Sequence, residues 1–263
     1  MMKSKNKPFK FGFINFVYSV LMILVIIVFL SVFKIDQLYN CATIDKNDDY
    51  RNIGENIYVP KYFGEDEIEV VFSYLDVAKK RNTELFGSVE GHPVIIFTDD
   101  VLEAVDFRGN YVGATHNSVF GLYIIIGPNG YSEDIVSHEL AHSELSDRVG
   151  WYKTNKIPIW FNEGIATQVD HRRDYSLESW DAVTNGGMDI KEIKALNTPK
   201  EFYDQDIDIR IDNYVLAKHE VGRWYGLVGR EGLIASIERF ENGEDLYDIY
   251  VELLLKNSRK LRD

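Results

Sequence analysis

Residues 132–148 read SEDIVSHELAHSELSDR, and residues 158–166 read PIWFNEGIA. Ser132 is a favourable helix N-cap, and the two acidic residues behind it suit the positive end of a helix dipole. Pro158 suits a helix start, because the first N–H groups of a helix have no partner within it. The two stretches therefore predict helices over residues 132–148 and 158–170.

The patterns on either side of these helices predict the fold class. Upstream, apolar spacing predicts a helix over 65–85, strands over 93–97 and 119–126, and a short helix from Asp99. Downstream, it predicts helices over 189–196, 213–228, 231–240 and 244–256. The expected architecture is α+β: a mixed α/β N-terminal lobe, a helical C-terminal lobe, and two central helices at their junction.

Composition narrows the possible partners. The chain has 263 residues, 42 acidic against 29 basic side chains, and a formal net charge of −13. Such a chain repels phosphate backbones, so nucleic acid is not expected as a partner. Cys41 is the one cysteine, which excludes an intramolecular disulfide. The oligomeric state does not follow from these features.

The N-terminal segment resembles a membrane anchor. Residues 11–33 carry no charge, and as a helix they reach roughly 34 Å, enough for a hydrocarbon core of about 30 Å. Four lysines precede them, so residues 1–10 are expected in the cytoplasm, with the lipid bilayer as a partner. A cleavable signal peptide, or lipid attachment at Cys41, is the alternative. Residues 34–56 then read as a linker, and residues 57–263 as an extracytoplasmic folded domain.

The HELAH sequence at 138–142 carries the chemistry. His138 and His142 are four residues apart, so one face of a helix presents both imidazoles to a single metal ion. Glu139 lies beside that face and can act as a general base toward water. The alternative is a solvated amphipathic helix with surface histidines and glutamates.

A catalytic zinc site needs a third protein ligand and an open fourth position. The best candidate is Glu163, because a carboxylate among apolar residues such as Trp160 and Phe161 needs a cation. Gly164 is costly in a helix but permits close approach of another helix. An ion pair between Glu163 and Arg172 is the alternative explanation. Other candidate ligands are His116, His171 and, less favourably, Cys41.

HELAH followed by IWFNEGIA resembles the gluzincin superfamily of metallopeptidases, and in particular the peptidase-MA-like group. The resemblance covers about residues 93–255, and the two short motifs are its specific part. It implies a zincin-like fold and one zinc ion per chain, held by His138, His142 and Glu163, with Glu139 as the base.

The resemblance also implies an oxyanion-stabilising side chain. Tyr214 is the candidate, with a packed aromatic as the alternative role and His219 as a weaker choice. No convincing carboxylate partner for the histidines stands out, although Asp170 and Glu144 are candidates.

The function expected from these observations is a membrane-anchored, zinc-dependent peptidase that hydrolyses peptides or proteins with a metal-activated water. The strand over 119–126 is expected to bind an extended substrate at a sheet edge, unless it is central and covered. The alternative function is a catalytically inactive extracytoplasmic module that binds peptide or envelope ligands. A structural membrane protein with a coincidental motif is a third class.

Overall fold

A computed structural model describes the backbone of residues 10–189 and 191–260, and the side chains of residues 15–28, 36–189 and 191–257. The helices in these ranges are α1 (Lys10–Ala42), α2 (Glu65–Phe86), α3 (Val101–Asp106), α4 (Glu133–Val149), α5 (Trp151–Thr154), α6 (Ile159–Val169), α7 (Leu177–Val183), α8 (Pro199–Phe202), α9 (Ile207–Glu241) and α10 (Leu246–Lys260). The strands are β1 (Tyr50–Gly54), β2 (Ile57–Pro60), β3 (Val94–Phe97), β4 (Gly113–Ser118) and β5 (Gly121–Ile126).

The five strands form one mixed sheet in the order β1-β2-β3-β5-β4. Strands β2, β3 and β5 are parallel, and β1 and β4 are antiparallel edges. Strands β3 and β5 are continuous apolar runs because both sheet faces are covered. Ile95 and Phe97 pack toward α2 and α4, whereas Ile96 packs toward α3.

The strand predicted over 119–126 corresponds to β5, and the prediction that it offers a free edge is wrong. It pairs with β3 on one side and β4 on the other. The edge that borders the two central helices is β4, with the polar sequence GATHNS. This strand lacks the apolar alternation that reveals a half-buried strand in a sequence.

The C-terminal part is helical and packs around α6, α9 and α10. Gly229 interrupts α9 with a φ of 67°, which only glycine adopts readily. The sequence prediction of separate helices over 213–228 and 231–240 matches this break. The helix predicted over 189–196 is reduced to a 3-10 turn at Ile193–Leu196.

Helix α4 belongs to both halves of the molecule. Ile135, Val136 and Leu140 pack with the sheet and α2, whereas Ala141 and Leu145 pack with the helical part. The same helix therefore forms the wall between two hydrophobic cores.

The predicted membrane anchor at 11–33 requires correction. Residues 1–9 and the side chains of 11–14 and 29–33 lie outside the described residues, so the predicted cytoplasmic segment at 1–10 does too, apart from the backbone of Lys10. Within the part that the structure describes, no helix is both long enough and apolar enough to cross a bilayer. The predicted single-pass topology and the extracytoplasmic location inferred from it are therefore wrong.

The predicted linker at 34–56 is largely structured. The last turns of α1 contact the C-terminal end of α3: Gln37 donates to the Val105 carbonyl at 2.9 Å, and Asn40 donates to the Asp106 carbonyl at 3.0 Å. The Cys41 thiol is buried and donates to the Phe107 carbonyl at 3.2 Å. Strand β1 then joins the sheet, so the polar composition of this segment reflects hydrogen bonding to the domain.

Candidate metal centre

Helix α4 begins where the sequence predicts. The Ser132 side chain accepts a hydrogen bond from the Ile135 N–H at 3.2 Å. Arg81 of α2 pairs with Glu133 at 2.7 Å and with Asp134 at 2.6 Å. These contacts join the first turn of α4 to α2 and fix the direction in which its later side chains point.

Three nitrogen and oxygen atoms converge where α4 meets α6. His138 Nε2 lies 3.1 Å from His142 Nε2 and 3.3 Å from Glu163 Oε2. His142 Nε2 lies 3.4 Å from the same carboxylate oxygen. The three side chains are buried, and the group can hold a metal ion.

A side-chain oxygen lies near the Nδ1 atom of each ring, on the side away from the centre. His142 Nδ1 lies 3.0 Å from the Asn162 side-chain oxygen, and His138 Nδ1 lies 3.2 Å from Asp170 Oδ2. An Nδ1–H that faces such an acceptor leaves the Nε2 of a neutral ring available to a metal ion. Two imidazole nitrogens and a carboxylate oxygen face one another, an arrangement that suits a bound cation.

The distances fit such a cation. A tetrahedral ion with ligands about 2.0–2.1 Å away separates those ligand atoms by about 3.3–3.4 Å. The three edges measured here are 3.1, 3.3 and 3.4 Å. Glu163 Oε2 is also buried without a hydrogen-bond partner among the described residues, as expected of an atom reserved for a metal.

The pKa shifts at the centre also favour a bound cation. Burial by itself lowers the pKa of His138, but the adjacent carboxylates of Asp170 and Glu163 outweigh it and raise that pKa to about 10. Burial opposes ionisation of Glu163, yet the two histidines hold its pKa well below the usual range. The buried cluster of two histidines and Glu163 therefore favours positive charge.

Asp170 is itself held in place by two cations. Arg172 forms a bidentate contact with its carboxylate, at 3.0 and 2.5 Å, and Lys218 donates to its backbone carbonyl at 2.6 Å. Arg172 therefore pairs with Asp170 and not with Glu163, which removes the ion-pair alternative for Glu163. Glu144, the other candidate partner for a histidine, instead binds Arg148 at 2.7 Å.

The second oxygen of Glu163 accepts a hydrogen bond from the Tyr203 hydroxyl. Tyr203 follows α8 and has no motif around it, so sequence reasoning missed it. Gly164 explains how the glutamate reaches the centre. A Cβ at Gly164 would lie 2.4 Å from Val221 Cγ2 and 2.8 Å from the Ala217 carbonyl, so only glycine lets α6 and α9 approach this closely.

Glu139 points toward the edge strand β4. Its Oε2 accepts a hydrogen bond from the Thr115 hydroxyl at 2.8 Å. A Cβ at Gly113 would lie 2.9 Å from Glu139 Cγ and Oε1, so the strand has a glycine where the carboxylate comes closest. The side chain is 7% exposed and lines the same cleft as the two histidines.

The remaining candidates from the sequence have other surroundings. Tyr214 lines the cleft with its ring 6.3 Å from that of His138, stacked on Tyr175; burial raises its pKa. His116 Nε2 contacts the Arg108 carbonyl at 2.8 Å, and His219 stacks on Trp180. The metal-ligating group found among the described residues does not include His116, His171 or Cys41.

The centre opens into a cleft of about 780 Å³. Strand β4 forms one wall, and the segment from Asn197 to Tyr203 together with the start of α9 forms another. The Val112 carbonyl accepts a hydrogen bond from the Gly127 N–H. In an antiparallel pair every second residue makes such bonds, so this contact shows which residues of β4 bond to β5. The backbone groups of Thr115 and Asn117 therefore point away from β5.

Comparison of the chain with protein-family models and with curated proteins finds no match.

Proposed function

We propose that this protein is a zinc-dependent peptidase. The observation that carries the proposal is the convergence of His138, His142 and Glu163 at tetrahedral spacing, with Glu139 lining the same cleft. Two histidines and a glutamate are a donor set typical of catalytic zinc, and three protein ligands leave a position for water or substrate. When bound, zinc supplies a Lewis acid and lowers the pKa of water in its open position toward about 7.

The side chains around the centre have separate tasks in this mechanism. Glu139 accepts the proton from water and later delivers it to the departing amine. Thr115 holds the Glu139 carboxylate at 2.8 Å, which limits the orientations open to it. Asp170 and Asn162 hold the imidazoles in the tautomer that presents Nε2, and the Tyr203 hydrogen bond leaves one Glu163 oxygen for the metal.

A substrate can be aligned by β4. The outward N–H and C=O groups of Thr115 and Asn117 make no hydrogen bond to a described residue, and they border the cleft. An extended peptide can add there as a further strand, which places its backbone next to Glu139. The resemblance to gluzincins implies that Tyr214 stabilises the oxyanion, and that role stays a prediction.

The proposal is tested by metal content and by turnover. The purified full-length protein is expected to hold about one zinc ion per chain by plasma mass spectrometry and to cleave a mixed peptide library. Glu139→Gln should retain zinc and lose turnover by at least a hundredfold, because proton transfer contributes about 10²–10⁴ to the rate. Asp147→Asn, at an exposed position near the end of the same helix, is the matched control and should retain both. A folded preparation without zinc, or full turnover in Glu139→Gln, would refute the mechanism.

A further inference from the structure

The charge of the cleft is opposite in sign to that of the protein. Three cations line it: Arg108 before β4, Lys156 before α6, and Arg210 in α9. The only carboxylates among its described lining residues are Glu139 and Glu163 at the metal centre. A divalent ion there offsets these two charges, so the three cations set the charge that a substrate meets.

Among the described residues, these cations lack the carboxylate partners that basic residues have elsewhere, and the Lys156 ammonium instead contacts the Tyr152 ring, 4.7 Å from its centroid. Acidic side chains outnumber basic ones by 42 to 29, and the other arginines commonly pair with carboxylates. Examples are Arg81, Arg148, Arg172 and Arg239. No described carboxylate lies within 4.0 Å of the charged groups of Arg108, Lys156 or Arg210. In an acidic protein, free cations concentrated in one cleft provide local attraction for an anion.

Arg210 is the cation best fixed relative to the metal centre. Its Nε donates to the Asp204 carbonyl at 3.0 Å, which occupies one nitrogen and leaves the others available. Asp204 follows Tyr203 directly, and the Tyr203 hydroxyl binds Glu163. The guanidinium is therefore anchored beside the chain segment that holds a metal ligand, on the wall formed by the C-terminal part. His116 adds no charge in this cleft at neutral pH, because burial lowers its pKa.

We infer that the substrate is an acidic peptide, with a carboxylate close to the cleaved bond that pairs with Arg210. The inference rests on the proposed peptidase function and goes further in naming the substrate class and the residue that selects it. Arg108 and Lys156 extend the favourable field to other parts of the cleft, so a substrate with several acidic residues gains more than one interaction. The guanidinium can engage a carboxylate through two parallel hydrogen bonds, which a lysine does not reproduce.

The test compares two amidated peptide libraries on the zinc-loaded full-length protein, one with Glu and one with Gln at the same positions. The kcat/KM for the Glu library is expected to be about fivefold higher, the range of a partly solvated ion pair. The preference should fall in Arg210→Gln, partly return in Arg210→Lys, and remain unchanged in Lys61→Gln, an exposed cation at the opposite end of the sheet. A third library with a free C-terminus separates side-chain from terminal carboxylates.

Equal rates on the Glu and Gln libraries, or an unchanged preference in Arg210→Gln, would overturn the inference while leaving the peptidase function standing. If no library is cleaved, the peptidase function is refuted. Whether the cleft selects acidic peptides is then tested by binding. Fluorescence anisotropy with labelled libraries on Glu139→Gln should then give tighter binding of the Glu library, weakening as salt rises from about 0.01 M to about 0.15 M. Equal affinity for the two libraries would overturn it.

Discussion

The contact at Gly164 allows a quantitative test of how the carboxylate ligand is positioned. In Gly164→Ala, the added Cβ would lie 2.4 Å from Val221 Cγ2 and 2.8 Å from the Ala217 carbonyl. Ordinary contacts between carbon atoms are about 3.5–4.0 Å, so α6 and α9 must separate by about 1 Å. Glu163 is the neighbouring residue, and its carboxylate moves with α6.

Two opposing effects determine how much Gly164→Ala changes the free energy of unfolding. Overpacking of a tight interface costs about 1–3 kcal/mol, whereas alanine gains about 1 kcal/mol over glycine in a helix. The net loss of unfolding free energy is therefore about 1 kcal/mol, which lowers Tm by about 2–4 °C in a chain of this size. Displacement of Glu163 should weaken zinc binding by about tenfold or more, the scale seen when the support of a metal ligand is disturbed.

The assay is thermal and chemical denaturation of the metal-free protein, with zinc affinity measured by competition with a chelator. Gly226→Ala, in the same α9 helix, is the matched control because nothing lies within 4 Å of its added Cβ. That variant should gain up to about 1 kcal/mol and leave zinc affinity unchanged. If Gly164→Ala is as stable and binds zinc as tightly as the unmodified protein, close approach of α6 and α9 does not position Glu163.

Two further predictions concern the support of the centre and the N-terminal helix. Asp170→Asn should weaken zinc binding by about 10–100-fold in the chelator competition, because the charge that orients His138 is lost; unchanged affinity would contradict this role. Burial raises the pKa of the Cys41 thiol to about 12, so at pH 8 it should react with a disulfide reagent on the order of 10³-fold more slowly than in the unfolded chain. Rapid modification of the native protein would mean that the end of α1 does not pack against the domain.

The sequence predicts the parts of the centre that depend on short-range order. The spacing of His138 and His142, the cap at Ser132 and the position of Glu163 behind Pro158 all follow from local helix rules, and the structure brings these ligands together. The close contact at Gly164 was also predictable, because a glycine inside a helix needs a reason.

Long-range contacts explain what sequence reasoning missed. Tyr203 reaches the centre through the folding of the segment after α8, and no periodicity marks it. Asp170 was one of two candidate partners for the histidines, and only its contact with His138 in the fold distinguishes it from Glu144. Strand β4 was missed because GATHNS is polar on both faces, whereas the apolar β5 was mistaken for the exposed edge. Polar residues at 34–56 suggested solvent exposure, but several of them bind the domain backbone.

The position of α4 between two hydrophobic cores has a consequence for unfolding. Leu140 packs with the sheet and Leu145 packs with the helical part, so neither half can lose its packing without disturbing the helix that carries both histidines. Separate melting of the two halves is disfavoured, and the chain from β1 to α10 should unfold as one cooperative unit. Amide hydrogens in the middle of α4 should therefore exchange only through global opening, and the two histidines of the candidate metal centre lie in that segment.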